Sequence, residues 1–132
     1  MNTKILMIAS AIFLGGMGIS LIFFPQEIST FLNSGDALIL QLLGALYFGF
    51  AMINWTAKAN LIGGIYGRPV SIGNFCHFGI GGLALVKPVL TDLLTEPEWI
   101  IIAIVYLFFG IAFGYIFFNH PKLKERNSSV LA

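Results

Sequence analysis

The sequence predicts an all-α membrane protein, four transmembrane helices in an up-down bundle with both termini cytoplasmic. Three observations carry this expectation. Four apolar runs, each close to the length of a lipid-spanning helix, follow one another along 132 residues. Hydrophobic residues make up 58% of the chain and charged residues 10%, at a mean hydropathy of +0.90. A soluble domain carries about 25% charged residues, so this composition suits lipid as the solvent. The charges also sort by sign. Lys4, Lys58, Arg68, Lys122, Lys124 and Arg126 fall on one side of a four-span path, while Glu27, Asp36, Asp92, Glu96 and Glu98 fall on the other. Only Lys87 and Glu125 break the pattern. The positive-inside rule then places both termini and the 59–68 loop in the cytoplasm.

The first span is the unbroken apolar run 5–24, after Lys4 and before Pro25. At about 1.5 Å per residue, such a run covers about 30 Å, the thickness of the hydrocarbon core. A signal peptide would have an apolar core of about 7–15 residues and a small-x-small cleavage site. This run is longer and ends in Phe23-Phe24-Pro25, so it reads as a retained helix. Residues 25–36 form a polar connection in which Ile28, Phe31 and Leu32 share i, i+3, i+4 spacing, suited to one turn lying on the membrane surface. Asp36 is placed to cap the next helix.

The second span covers 37–55, with Trp55 as an interfacial anchor. The loop that follows contains Gly63-Gly64 and Gly67. It lacks the spacing of a phosphate-binding loop and no strand precedes it, so it reads as a turn. Pro69 opens the third span, 70–90, where a missing backbone donor is tolerated. Thr95 and Glu98 have capping-box spacing ahead of the fourth span, 99–118. Asn119-His120-Pro121 closes that span, and a polar tail, 122–132, follows. The chain is a single transmembrane domain, 1–132.

Polar residues within the spans are the candidate functional groups, because polar and ionisable side chains are costly in lipid. The third span carries the most notable ones, Asn74, His77 and Lys87. Counting depth from the cytoplasmic ends places His77 level with Tyr47, with Asn54, Asn74 and Tyr115 nearer the cytoplasmic surface. Asn74 and His77 are i, i+3 neighbours, and Tyr47 and Asn54, seven apart, share a face of the second span. These four are therefore expected to face one another, and with Tyr115 they form a candidate ligand-binding site or pathway. Two roles stay open for His77: a histidine satisfied by its neighbours, or one that faces a ligand or exchanges protons. Gln41, Tyr106 and Lys87 fall in the outer half as a candidate vestibule, although Lys87 can also snorkel to the headgroups or pair with Asp92.

Gly16-x3-Ser20, Ala45-x3-Gly49 and Gly110-x3-Gly114 are small-xxx-small pairs that permit close helix contact, in the bundle or in a homo-oligomer. Gly15-Gly16 matches Gly81-Gly82, and the 46–51 segment matches 107–112, a pattern that duplication or a small apolar alphabet can produce.

Several functions lack the residues they need. The single cysteine, Cys76, excludes an intrachain disulfide and a multi-cysteine metal site. There is no HExxH, no CxxC, no paired carboxylates and no histidine cluster, so the sequence supplies no catalytic set and specifies no metal. A net charge of +1 gives no electrostatic footprint for nucleic acid. The residues name no cofactor.

Gly18, Leu21, Phe23 and Pro25 at the end of the first span, followed by Leu-Leu-Gly-Ala-Leu-Tyr-Phe-Gly-Phe-Ala over residues 42–51, give the chain a resemblance to the small four-helix DoxX-like group and to similar uncharacterised bacterial membrane proteins. That resemblance implies a bacterial inner-membrane location and, since the group includes quinone-linked accessory subunits, a membrane partner. The expected function is non-enzymatic: binding of a lipid, a quinone-like ligand or a partner protein within the bundle. The alternative is a small oligomeric channel or transporter lined by His77 and Asn74.

Overall fold

The computed structural model describes residues 2–32, 36–59, 67–91 and 97–119, and all its elements are helices. In chain order they are α1 (Thr3–Phe23), α2 (Pro25–Leu32), α3 (Ala37–Ala57), α4 (Arg68–Leu90) and α5 (Pro97–Phe118). The four long helices are each long and apolar enough to cross a membrane. The chain is thus a helical membrane protein. The Gly-rich loop, Thr95 with its capping box, the Asp92 partner for Lys87, and the tail with His120 lie outside the described residues.

The helix limits differ from the sequence expectation by about one turn at most, for local reasons. Asn2 caps α1 by accepting from the Lys4 backbone N–H at 3.1 Å, so the helix starts ahead of the apolar run. Asp36 caps α3 in the same way, accepting from Leu38 N–H at 2.9 Å. Pro97 is the first residue of α5, two positions before Trp99, because proline's fixed φ and missing donor suit the first turn. The short amphipathic piece is a helix of two turns, α2, whose Phe31 is exposed while Pro25 is buried. At the other end of α3, the Lys58 ammonium lies 3.0 Å from the centre of the Trp55 ring.

The helices pack as two close pairs, α1 with α3 and α4 with α5. Glycine allows each approach. A Cβ on Gly18 would stand 2.8 Å from the Gly44 carbonyl oxygen and from the Phe48 nitrogen, and one on Gly44 would stand 2.9 Å from the Gly18 oxygen. In the second pair, Gly110 lies against the backbone of Gly79, where a Cβ would fall at 3.2 Å. Contacts between the pairs are fewer and are made by larger side chains. Phe13 of α1 meets Phe78, Tyr106 and Phe109 with ring centres 5.9–6.4 Å apart, and Phe78 stacks parallel to Phe113 at 5.9 Å. The centre of the molecule is therefore a seam of aromatic rings between two glycine-zipped pairs. The outer surface carries the remaining large apolar side chains; Ile111 is 73% exposed and Phe118 70%. In water such a surface would drive aggregation, and in lipid it is solvated.

Candidate functional site

The polar side chains of the interior gather into two clusters along the seam. The first joins three helices. Asn54 of α3 donates through Nδ2 to Asn74 Oδ1 at 2.7 Å, and Asn74 of α4 donates back to Asn54 Oδ1 at 2.6 Å. The second N–H of Asn54 reaches Ser10 Oγ of α1 at 3.0 Å, and that of Asn74 reaches the Val70 carbonyl at 2.9 Å. Ser10 passes its own proton to the Met7 carbonyl at 3.1 Å. All four amide donors are used, and both asparagines and Ser10 are fully buried. An amide in an apolar interior costs several kcal/mol when left unpaired, so a closed network is the arrangement that makes these residues tolerable there.

The second cluster lies one turn along α4. His77 sits between aromatic rings, stacked on Phe50 at 4.9 Å and edge-on to Tyr47 and Phe78 at 5.3 and 5.1 Å. The Tyr106 hydroxyl of α5 donates to the Tyr47 hydroxyl of α3 at 2.9 Å and lies 3.4 Å from His77 Nε2. At 3.4 Å the imidazole contact is weak. The two phenols share this one hydrogen bond, and their second proton has at most the weak His77 contact among the described residues.

Two openings border this second cluster. A partly enclosed cavity of about 190 Å³ lies where the C-terminal end of α1, the helix α2 and the first turns of α3 and α5 meet. Its wall includes Leu21, Leu32, Leu43 and Trp99, and at its inner end stand Tyr47 and Tyr106. A shallower, open cleft runs along the surface between α3 and α4, where His77, Phe50 and Gly81 are exposed to it. Gly81 lines both openings. A third groove, of about 390 Å³, lies on the outer face of α4 and α5 around Cys76 and Ile80 and has an apolar lining.

The structure brings six residues of the chain together in these clusters: Ser10, Tyr47, Asn54, Asn74, His77 and Tyr106. The depth count groups Tyr106 with Gln41 and Lys87, yet its hydroxyl reaches Tyr47 and approaches His77. Counting Cα positions neglects the length of a tyrosine side chain directed along the bundle. Tyr115 is 60% exposed and lies apart from the other site residues. Gln41 and Lys87 are exposed as well, and Gln41 makes a long 3.4 Å bond to the Ile22 carbonyl at the α1–α3 contact. Ser10 is the member that depth and face arguments overlooked, although it is a polar residue in an otherwise apolar span. Among the described residues no group of three or more His, Cys, Asp or Glu side chains is arranged to hold a metal.

Fold and clusters together define an all-helical protein whose four long helices are apolar enough to span a membrane, with polar side chains gathered at its centre. Comparison with protein-family models, with curated proteins and with solved structures gives no match.

Proposed function

We propose that this protein is a non-enzymatic membrane module that binds an uncharged amphiphile, a lipid or a quinone-like molecule, between its helices. The observation that carries the reading is a cavity lined by the hydrogen-bonded Tyr47 and Tyr106, beside a His77 that lines the α3–α4 cleft. Ligand sites in helical bundles are apolar hollows with a few convergent polar groups, and this one has that composition. The site would be Tyr47, Tyr106 and His77. Asn54 and Asn74 would hold the helices in register. The residue likeness to the DoxX-like group points the same way and adds a membrane-protein partner or a second copy as companions.

Contacts along the paired helices support an up-down arrangement. Ser10 pairs with Asn54, Gly15 approaches Ala51 and Gly18 approaches Gly44, so position rises along α1 as it falls along α3. Phe75 against Gly114, Gly79 against Gly110 and Gly82 against Leu107 give the same opposed register for α4 and α5. With the charge sorting, this register supports a cytoplasmic side for both termini, and the DoxX-like resemblance supports a bacterial inner membrane as the location.

The alternative, a channel or transporter lined by His77 and Asn74, has the Asn54–Asn74–Ser10 network against it. Those amides spend every donor on each other, on the Ser10 hydroxyl and on the Val70 carbonyl, leaving none for a passing solute.

Native mass spectrometry of the protein released from nanodiscs tests the proposal. The expected result is a retained neutral adduct that Tyr106→Phe weakens. A protein that flies adduct-free from several lipid compositions, or flux in proteoliposomes that disappears with His77→Ala, would replace this reading with another.

A further inference from the structure

The walls of the α2-end cavity say what class of ligand it can take. No Lys, Arg, Asp or Glu lines it among the described residues, and the lining residues with a polar side-chain group are Tyr47, Tyr106 and Trp99. Among the described residues nothing there neutralises a phosphate or an ammonium, and an unpaired charge in such a place costs far more than any apolar contact returns. The described lining therefore suits an uncharged ligand better than a phospholipid headgroup. Size narrows the class again. An apolar cavity of about 150 Å³ takes up a benzene-sized ring, and the volume here is about 190 Å³, room for one ring with a small substituent. The hydrogen-bonding pattern supplies the last element. The Tyr106 and Tyr47 hydroxyls share one hydrogen bond at 2.9 Å, so of their two protons one is left over in a cavity that both residues line. A ligand that satisfies it must bring an acceptor.

Resting on the reading of the protein as an amphiphile binder, we propose that the α2-end cavity is a site for a neutral single-ring compound with an acceptor oxygen, held by a hydrogen bond from the Tyr47–Tyr106 phenol pair. Aromatic ketones are the simplest members of that class. Trp99 in the cavity wall provides an internal reporter, and Trp55→Phe removes the only other tryptophan, which is exposed at the far end of α3.

The test uses Trp55→Phe protein in nanodiscs and two brominated probes of similar shape: 4-bromoacetophenone, which carries the acceptor, and 1-bromo-4-ethylbenzene, which lacks it. The expected result is saturable quenching of Trp99 by the ketone, at a concentration about five-fold lower than by the hydrocarbon, the worth of one neutral hydrogen bond. Replacing both Tyr47 and Tyr106 by Phe should bring the ketone down to the hydrocarbon's affinity without changing the hydrocarbon's. Leu43→Phe, which narrows the cavity, should abolish saturable quenching by both. Equal affinities for the two probes, or a ketone preference that survives the double Tyr→Phe change, would overturn the assignment. If the ketone fails to saturate while native mass spectrometry retains another amphiphile, the ring assignment falls and the binding reading stands. If neither binds, both fall.

Discussion

Asn54 and Asn74 exchange two amide hydrogen bonds, at 2.7 and 2.6 Å, between α3 and α4. They tie together the two glycine-packed helix pairs at a place where backbone contacts are sparse. The bond is reciprocal, so removing either side chain orphans the other in a dry interior. Asn54→Ala and Asn74→Ala are each expected to cost about 1–3 kcal/mol. The double replacement by leucine should cost less than the two single losses combined, since no amide is then left unpaired. Reversible unfolding in mixed micelles with SDS gives the cycle. A coupling above about 0.6 kcal/mol, the average for interhelical bonds in membranes, is the expected outcome. Additive single effects would show that each amide has another partner.

Glycine positions separate into two kinds, with opposite expectations. Gly18→Ala sets a methyl 2.8 Å from backbone atoms of α3, which cannot step aside as a side chain can, so the α1–α3 pair must part. A loss of about 1–3 kcal/mol is expected. Gly16→Ala and Gly49→Ala meet nothing within 4 Å and should be neutral or mildly stabilising through helix propensity. Thermal unfolding in one detergent compares all three, and equal melting temperatures for Gly18→Ala and Gly16→Ala would refute the close approach.

Gly81→Ala acts through a ring. Its methyl would come within 2.7 and 2.9 Å of two Tyr106 ring carbons, and the ring can yield only by carrying its hydroxyl away from Tyr47. The change should therefore cost about 1 kcal/mol, one neutral hydrogen bond. A second consequence distinguishes this from simple crowding. Tyr47→Phe, which costs a similar amount in the native chain, should become nearly neutral once Gly81 is alanine. An undiminished Tyr47→Phe effect in that background would show that the phenols remain bonded.

The helices were legible in the sequence because each is an apolar run of spanning length with proline, aspartate or asparagine at its start. Part of the site was legible for the same reason of periodicity. Asn74 and His77 share a face of α4, Tyr47 and Asn54 share a face of α3, and the two faces meet. Tyr115 could have been set aside on that ground. It lies nine residues from Tyr106, and at about 100° per residue that is the opposite face of α5. The glycine contacts were not legible as motifs. Gly16-x3-Ser20 and Ala45-x3-Gly49 have the spacing, yet Gly16 and Gly49 stand in open space, while Gly18 and Gly44 make the contact. Spacing states that two small residues share a helix face; which way that face points depends on the whole bundle. The tyrosine pair was hidden because it depends on side-chain reach across three helices.

Cys76 tests which surface faces lipid. It is exposed on α4 with Ile80, where both line the apolar groove against α5 and also the α3–α4 cleft that His77 lines. If that groove faces hydrocarbon, a charged maleimide dissolved in water has no route to the thiol from either side of the bilayer. Cys76 is expected to stay unlabelled in intact and in permeabilised vesicles and to label fully once SDS unfolds the bundle. A cysteine placed at exposed Lys87, near the end of the same helix, should label without SDS, which controls for reagent access. Ready labelling of Cys76 in folded protein would mean that water reaches this groove. The surface read here as lipid-facing would then belong to an aqueous pathway, and the channel alternative would gain what the asparagine network denies it.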